Sequence, residues 1–270
     1  MMPEVAETGR VRDIRHARAA LLAGCLFIAL PERATAVELL AGAVRAYEGH
    51  VEQAKRAFLS RVQNDMAPTL PADGIVVAGP GEQDGIIDVP GGLVHHWIGR
   101  AFLQRVTLRT AVDVSRRYSA YSTIYKSVVA SRLLNRDGET YRVLLRLKES
   151  EAGISAVLEV RSTAHYVDVS SRVVYELSNT DEIREVKNAG ERNEQLLPVG
   201  RDSGYLWRAN VFTRFVQMPG GVYVEAETLG LSRRFPTMLS WILEPIARRL
   251  GRKSVETSLL EFRTAVLKEP

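Results

Sequence analysis

Apolar residues recur at steps of three and four between Val37 and Val62. This spacing places them along one side of an α-helix and leaves charged residues such as Arg45 and Glu52 on the other side. We therefore predict one amphipathic helix docked on the main domain. Its apolar side comprises Leu39, Leu40, Ala43, Val44, Tyr47, Val51, Ala54, Phe58 and Val62.

After Gly92 the pattern changes to that of β-strands. Leu93–Val106 is the first predicted strand. Thr107 is a favourable N-cap for a short helix through Tyr118, and a second short helix is predicted over Tyr121–Tyr125. Asp137-Gly138 is a strong hairpin signal. The further predicted strands are Val128–Asn135, Glu139–Lys148, Ser155–Val167, Arg172–Ser178, Ile183–Asn188, Tyr205–Gln217 and Val222–Leu231.

The chain closes with a predicted long helix, in which Pro245 and Gly251 indicate a kink or break between two halves. Its apolar positions are Met238, Leu239, Ile242, Leu243, Ile246, Leu250, Val255, Leu259, Phe262 and Val266. Residues 67–92 are rich in proline and glycine and are predicted to be a linker, in which Ile75–Ala78 could form a short strand. We thus expect a signal peptide over 1–36, a helix over 37–66, this linker, and one α+β domain over 93–268.

The first 36 residues have the order of a secretory signal peptide. Four arginines precede an uncharged run from Ala19 to Leu30, and Ala34-Thr35-Ala36 has the small-residue pattern of a cleavage site. The run is shorter than the ~20 residues that span a bilayer. We therefore expect a cut after Ala36 and a periplasmic or secreted protein. The arginines are Arg10, Arg12, Arg15 and Arg18.

Two alternatives remain for this segment. Leu22-Ala23-Gly24-Cys25 is similar to a lipobox, in which Cys25 would be lipidated, although the apolar run continues past the cysteine. An uncleaved amphipathic helix is the other alternative, and Asp13 in the basic region favours it. Cys25 is the one cysteine of the chain, so a mature protein would contain none, which suits an oxidising compartment.

The composition favours a globular protein, with 46% hydrophobic and 25% charged residues among 270. The formal charge of +4 comes from basic and acidic residues scattered along the chain, without the basic stripe that binding to a phosphate backbone needs. We therefore expect no nucleic-acid partner. The small positive excess would favour peripheral contact with an anionic membrane.

The sequence contains no clear catalytic or metal-binding motif. His95 and His96 are adjacent on a predicted strand, so they point to opposite faces and cannot readily ligate one ion. One would face an interior cavity and the other solvent, while His50 and His165 are isolated. No G-x-S-x-G motif is present. We expect no metal, no cofactor and no catalytic residue.

Several short stretches resemble an uncharacterised exported bacterial family of START-like proteins. They are Gly91-Gly92-Leu93-Val94-His95-His96-Trp97, Asn188-Ala189-Gly190, Tyr205-Leu206-Trp207-Arg208, Gly220-Gly221-Val222-Tyr223-Val224-Glu225 and Leu231-Ser232-Arg233. The order of elements is likewise similar to the helix-grip layout of the START and polyketide cyclase-dehydrase superfamily. The resemblance covers about residues 91–267.

The resemblance implies a curved antiparallel sheet of about seven strands around a long C-terminal helix, with an apolar cavity between them. The chain departs from these relatives at Arg161-Ser162-Thr163, Arg117 and Ser119. The relatives tend to carry acidic or histidine residues at these positions, so no role of their acidic or histidine residues can be transferred to this chain. The predicted ligand-binding residues are Trp97, Leu145, Leu158, Val160, Arg161, Trp207, Val224, Trp241, Ile242, Ile246 and Phe262.

Charged residues also alternate along the last two predicted strands. Arg208 and Arg214 could pair across the sheet with Glu225 and Glu227 on a solvated face. A sharper alternative is that one arginine, Arg146 or Arg161, enters the cavity and binds an acidic head group.

The favoured function is a carrier or sensor of a hydrophobic, lipid-like molecule, with Trp241 and Pro245 as the gate. The first alternative is a cyclase- or dehydrase-type enzyme that uses cavity histidine and arginine residues. The second is an envelope protein-interaction module that binds through the Val37–Val62 helix, which an exposed apolar stripe on that helix would favour.

Overall fold

The computed structural model describes residues 37–64, 67–68, 70, 74–82, 85–151, 154–234 and 240–269. Within these ranges it describes the side chains except at 37, 149–151, 154–155, 240–244 and 246. The expected signal segment, with Cys25 and the cut after Ala36, lies outside the described residues.

Ten strands form one open antiparallel sheet in the described part of the chain, and β1 and β10 form a separate two-stranded pair. The order across the sheet is β2-β4-β12-β11-β8-β7-β6-β5, with β3 also paired to β4 and β9 to β8. The strands are β1 (Val37–Glu38), β2 (Ile75–Ala78), β3 (Ile86–Val89), β4 (Gly92–Gln104), β5 (Val128–Asp137), β6 (Thr140–Glu151), β7 (Ile154–Ser170), β8 (Val173–Lys187), β9 (Gln195–Leu196), β10 (Arg201–Asp202), β11 (Arg208–Met218) and β12 (Gly221–Ser232).

The helices are α1 (Ala41–Gln63), α2 (Leu108–Ser115), α3 (Tyr121–Ile124) and α4 (Ser240–Val266). The predicted cap of α2 is confirmed, because the Thr107 hydroxyl accepts a hydrogen bond from the backbone N–H of Thr110 at 3.1 Å. The two short helices and the α+β class are confirmed as well. None of the helices in the described ranges combines the length and apolar character needed to cross a bilayer.

Helix α1 covers one side of the sheet, which we call the outer face. Its apolar stripe packs on β4, β8, β11 and β12 through residues such as Val94, Phe212 and Leu229. Six of its nine residues are buried, as docking on the main domain predicts, and Leu40 at its start is exposed. The stripe is therefore not a continuous exposed surface of the kind that an interaction module would need. The buried stripe residues are Ala43, Tyr47, Val51, Ala54, Phe58 and Val62.

Helix α4 covers the opposite side, the inner face. Its second half packs on β4 and β11, where Phe262 contacts Phe215 with ring centroids 6.0 Å apart. Val255 and Leu259 lie against Gly99, where an added Cβ would come within 2.5 Å of Val255. This glycine therefore lets the helix approach the sheet closely. The buried α4 residues are Val255, Leu259, Phe262 and Val266.

Three details of the sequence prediction differ from the structure. Arg172–Ser178 and Ile183–Asn188 were predicted as two strands but belong to one, β8, because an irregularity in its pairing with β7 replaces a turn. Helix α4 is one continuous helix, so no break occurs at Gly251. The predicted linker instead adds β2 and β3 to the sheet, and the strand at Ile75–Ala78 is confirmed.

Candidate ligand-binding site

The inner face of the sheet is not fully covered at its centre. On β11 three successive side chains that point inward are half-buried, and the next one, Phe215, is buried beneath α4. Of the side chains that point outward, three are buried beneath α1, whereas Arg208 and Asn210 are half-buried. Because β11 lies between β12 and β8, this accessibility does not come from a sheet edge. It marks open space on the inner side. The half-buried inward residues are Ala209, Val211 and Thr213, and the buried outward ones are Phe212, Arg214 and Val216.

Two separate apolar clusters border this space. One surrounds the second half of α4 and includes Phe215, Val224 and Phe262. The other is formed by Leu158, Val160, Ile183 and their partly buried neighbours Leu145, Leu147, Leu206 and Ala209. Small or polar side chains line the sheet between them. We call this surface the inner groove, and it consists of Ser178, Ala209, Val211, Thr213, Ala226 and Thr228.

An acidic residue borders the inner groove. Glu176 on β8 lies directly opposite Thr213 and shares a sheet face with Ser178, two residues along the strand. It is only 7% exposed. Sequence reasoning missed this residue, although it lies two positions after the apolar Val174, a spacing that places both side chains on one face of the strand.

Hydroxyl groups surround the Glu176 carboxyl. The hydroxyl of Tyr118 donates to Glu176 Oε1 at 3.0 Å and lies 3.2 Å from the hydroxyl of Tyr166. Tyr166 in turn lies 3.2 Å from Ser115 Oγ. Burial raises the pKa of Glu176 to about 7, and hydrogen bonds from Tyr118, Thr213 and Tyr166 oppose this rise. The acid therefore changes its protonation near neutral pH.

Comparison with known proteins bears on the fold. No family model and no curated protein matches the chain. Human STARD10 is 14% identical, and the match covers 80% of this chain and 79% of that chain with a TM-score of 0.50. A STAR-related lipid transfer protein from Xanthomonas axonopodis is 16% identical over 73% of this chain and 100% of that chain, with a TM-score of 0.49. Human StAR-related lipid transfer protein 5 is 10% identical over 82% and 99%, with a TM-score of 0.47.

The chain has a START-like helix-grip fold. At these identities the similarity establishes the fold alone. The expected resemblance in fold is thereby confirmed.

Most of the predicted ligand-binding residues that the structure describes lie on the inner face. Leu145, Leu158 and Val160 form one border of the inner groove, and Val224 and Phe262 belong to the cluster at the other border. Trp97 lies on the same face but packs between Gly85 and Gly251, so it is part of the core beneath α4. The side chains of Trp241, Ile242 and Ile246 are outside the described set.

Two predicted residues lie elsewhere. Arg161 is exposed on the outer face, because neighbouring residues on a strand alternate and Val160 points inward. Trp207 precedes β11, so the alternation of that strand does not extend to it. It packs in the cluster beneath α1, and its indole N–H donates to Asp202 Oδ1 at 2.9 Å. Arg146 lies outward as well and pairs with Glu159.

The two adjacent histidines point to opposite faces, as predicted. His95 faces inward with Nε2 2.7 Å from Ser232 Oγ, and burial lowers its pKa to about 4. His96 was expected to face solvent or the cavity but is buried beneath α1. Its Nε2 lies 2.6 Å from Glu227 Oε1 and its Nδ1 lies 2.8 Å from Nε2 of His50, so His50 is not isolated. Burial and the neighbouring His96 lower the pKa of His50.

Of the charge pairs predicted on β11 and β12, the one between Arg214 and Glu225 is present, but it is not solvated. The pairing predicted for Arg208 is wrong, because this residue lies opposite Leu231 and donates to the backbone oxygen of Trp207. Arg214 lies directly opposite Glu225, and both are buried beneath α1 rather than solvated. Arg61 from α1 binds both Glu225 and Glu227, and Arg100 from β4 donates to Glu225 at 2.8 Å. Burial favours a raised pKa at Glu225, but the three arginines outweigh it and lower the pKa. This outer-face charge cluster consists of Arg61, Arg100, Arg214, Glu225 and Glu227.

Within the described ranges, no three histidine, cysteine, aspartate or glutamate side chains meet in an arrangement that could bind a metal ion. The ionisable residues on the inner face near the groove include Glu176, His95 near the end of that face, and Glu185, which lies opposite Leu158 and accepts hydrogen bonds from Ser203. This arrangement can bind a mainly apolar molecule and offer its polar end a hydrogen-bonding acid.

Proposed function

We propose that this protein binds a hydrophobic, lipid-like small molecule in the inner groove and acts as a carrier or sensor. The observation that carries the proposal is the half-burial of Ala209, Val211 and Thr213 in the middle of the sheet. An apolar surface left open inside a fold costs stability unless a ligand fills it. Apolar clusters on both sides of the groove supply the remaining walls.

Native mass spectrometry of the gently purified full chain tests this proposal. We expect a co-purifying mass in the range of lipids or a gain in thermal stability with added lipid. The variant Ala209→Trp fills the inner groove and should weaken binding at least about tenfold, because a bulky side chain occupies the ligand's space. Ala130→Trp, at an exposed position of β5, is the matched control and should bind normally.

Circular dichroism of both unliganded variants checks that they are folded. A full chain that is always empty and gains no stability from any lipid would contradict the proposal. Equal binding by folded Ala209→Trp and the parent protein would contradict the assignment to the inner groove.

A cyclase- or dehydrase-type enzyme is the second candidate, and Glu176 favours it. A general acid or base works best when its pKa is close to the working pH, and the pKa of about 7 meets this condition. Bound ligand recovered unchanged after prolonged incubation supports a carrier. Conversion that disappears in Glu176→Gln supports the enzyme.

We also propose that the protein is exported and cut after Ala36, which would make β1, beginning at Val37, the first element of the mature chain. Fractionation of a bacterial expression host and the mass of the recovered N-terminus test this. A lipid-modified Cys25 would indicate the lipoprotein alternative, and an uncut cytoplasmic chain would contradict export.

A further inference from the structure

The buried carboxylates on the two faces of the sheet have different kinds of partner. On the outer face, Glu225 binds three arginines. On the inner face, the side chains that interact with Glu176 among the described residues are the hydroxyls of Tyr118, Thr213 and Tyr166. Glu225 is therefore neutralised within the protein, whereas these partners of Glu176 carry no charge.

A buried carboxylate without a cation is costly, since its desolvation is repaid only by hydrogen bonds. A ligand with a positive or hydrogen-bond-donating end would supply the missing partner. A carboxylate or phosphate would instead place a second negative charge next to the first, which is unfavourable in a low-dielectric interior.

The two arginines that the sequence offers for binding an acidic head group do not counter this effect. Arg146 and Arg161 point to the outer face, away from the inner groove. The side chains of the groove residues are either apolar or carry a hydroxyl group. The strands that form the groove thus offer an acid and several hydroxyls to the polar end of a ligand. Arg248, on the side of α4 that also carries Val255, is half-buried, and it is not among the side chains that interact with Glu176.

We propose that the inner groove selects an amphiphile whose polar end is an amine or hydroxyl held by Glu176, and that it rejects carboxylate and phosphate head groups. This inference rests on the proposed function. Thr213, directly opposite Glu176 and half-buried, provides a second hydrogen-bonding group at the same place.

Displacement of a neutral, solvatochromic apolar dye from the full chain tests the inference at pH 8. The probes are dodecylamine, dodecanol and dodecanoate, used below their micelle-forming concentrations, because they share one chain and differ in the head group. We expect the amine to bind at least about tenfold more tightly than the carboxylate, with the alcohol between them, since an ion pair in a buried site strengthens a hydrogen bond.

In Glu176→Gln the difference between amine and carboxylate should shrink to about threefold or less. Asp181→Asn removes the same charge from an exposed position of the same strand and should leave the ranking unchanged. Equal binding of all three probes, or a ranking that persists in Glu176→Gln, would overturn the head-group inference and leave the proposed function standing. Failure of the dye and all three probes to bind would overturn both.

Discussion

Arg214 on β11 and Glu225 on β12 lie directly opposite each other and are both buried, with Arg214 Nε 3.2 Å from Glu225 Oε1. Arg61 reaches the same carboxylate from α1, at 2.9 Å. The ion pairs therefore join the N-terminal helix to the sheet through the middle of an otherwise apolar interface. Such a cluster is stable only while every member keeps its partners.

Glu225→Gln should strongly destabilise the protein, because it leaves three arginines without their shared carboxylate. We expect a loss of about 3–5 kcal/mol in the free energy of unfolding, measured by denaturant titration. The matched control is Glu269→Gln, which breaks the more exposed ion pair with Arg117. It should cost only a small fraction of that loss, because solvent screens an exposed ion pair. Similar losses in the two variants would contradict a structural role for the outer-face charge cluster.

The pairing of these residues was predictable, but their burial was not. Alternation along β11 and β12 places Arg214 and Glu225 on one face of neighbouring strands. The stripe of α1 also predicted that this helix docks. Nothing in either pattern says which face of the sheet the helix covers, because both faces carry enough apolar residues to receive it. The charged face was therefore expected to be solvated.

The same limit explains the outcome at the site. Period-two alternation predicts the inward orientation of Leu158 and Val160 correctly, and it already excludes Arg161 from the same face. The same alternation places Glu176 on the face that carries Val174. Its importance comes from Tyr118 and Tyr166, which are 58 and 10 residues away and meet it only through tertiary packing. The spacing of residues along the sequence does not predict such tertiary contacts.

Gly251 in α4 should not tolerate a methyl group. A Cβ at this position would lie 2.4 Å from Trp97 Nε1, so Gly251→Ala must displace a buried ring. We expect a loss of about 1–3 kcal/mol, measured by thermal or chemical unfolding. Helix propensity alone predicts the opposite change, because it favours alanine over glycine by ~1 kcal/mol.

Gly49→Ala is the control for this substitution. Gly49 is exposed on α1, and nothing lies within 4 Å of an added Cβ. The free energy of unfolding of this variant should be higher than that of the parent protein by about 0.5–1 kcal/mol. A gain of the same size in Gly251→Ala would show that α4 does not pack tightly against Trp97.

The protonation of Glu176 should make stability depend on pH. Its pKa is about 7 in the folded protein and 4.5 in an unperturbed chain. Between these values the folded protein binds more protons than the unfolded one, so its free energy of unfolding falls as the pH rises. Glu176→Gln removes this loss. Between pH 4.5 and 8, the free energy of unfolding of the variant should therefore rise relative to that of the parent protein, by up to about 3 kcal/mol.

His95 has the opposite effect, because a pKa of about 4 makes stability rise with pH between 4 and 6.5. The stability curve of the parent protein alone is thus a sum of opposing contributions. The difference between Glu176→Gln and the parent isolates the acid, since the groups facing it are the hydroxyls of Tyr118, Tyr166 and Thr213, which do not ionise in this range. Chemical unfolding at several pH values measures this difference, with Asp181→Asn as the control. A difference that stays constant with pH would mean that Glu176 is ionised in the folded protein at every pH tested, and that its hydroxyl neighbours suffice to hold the charge.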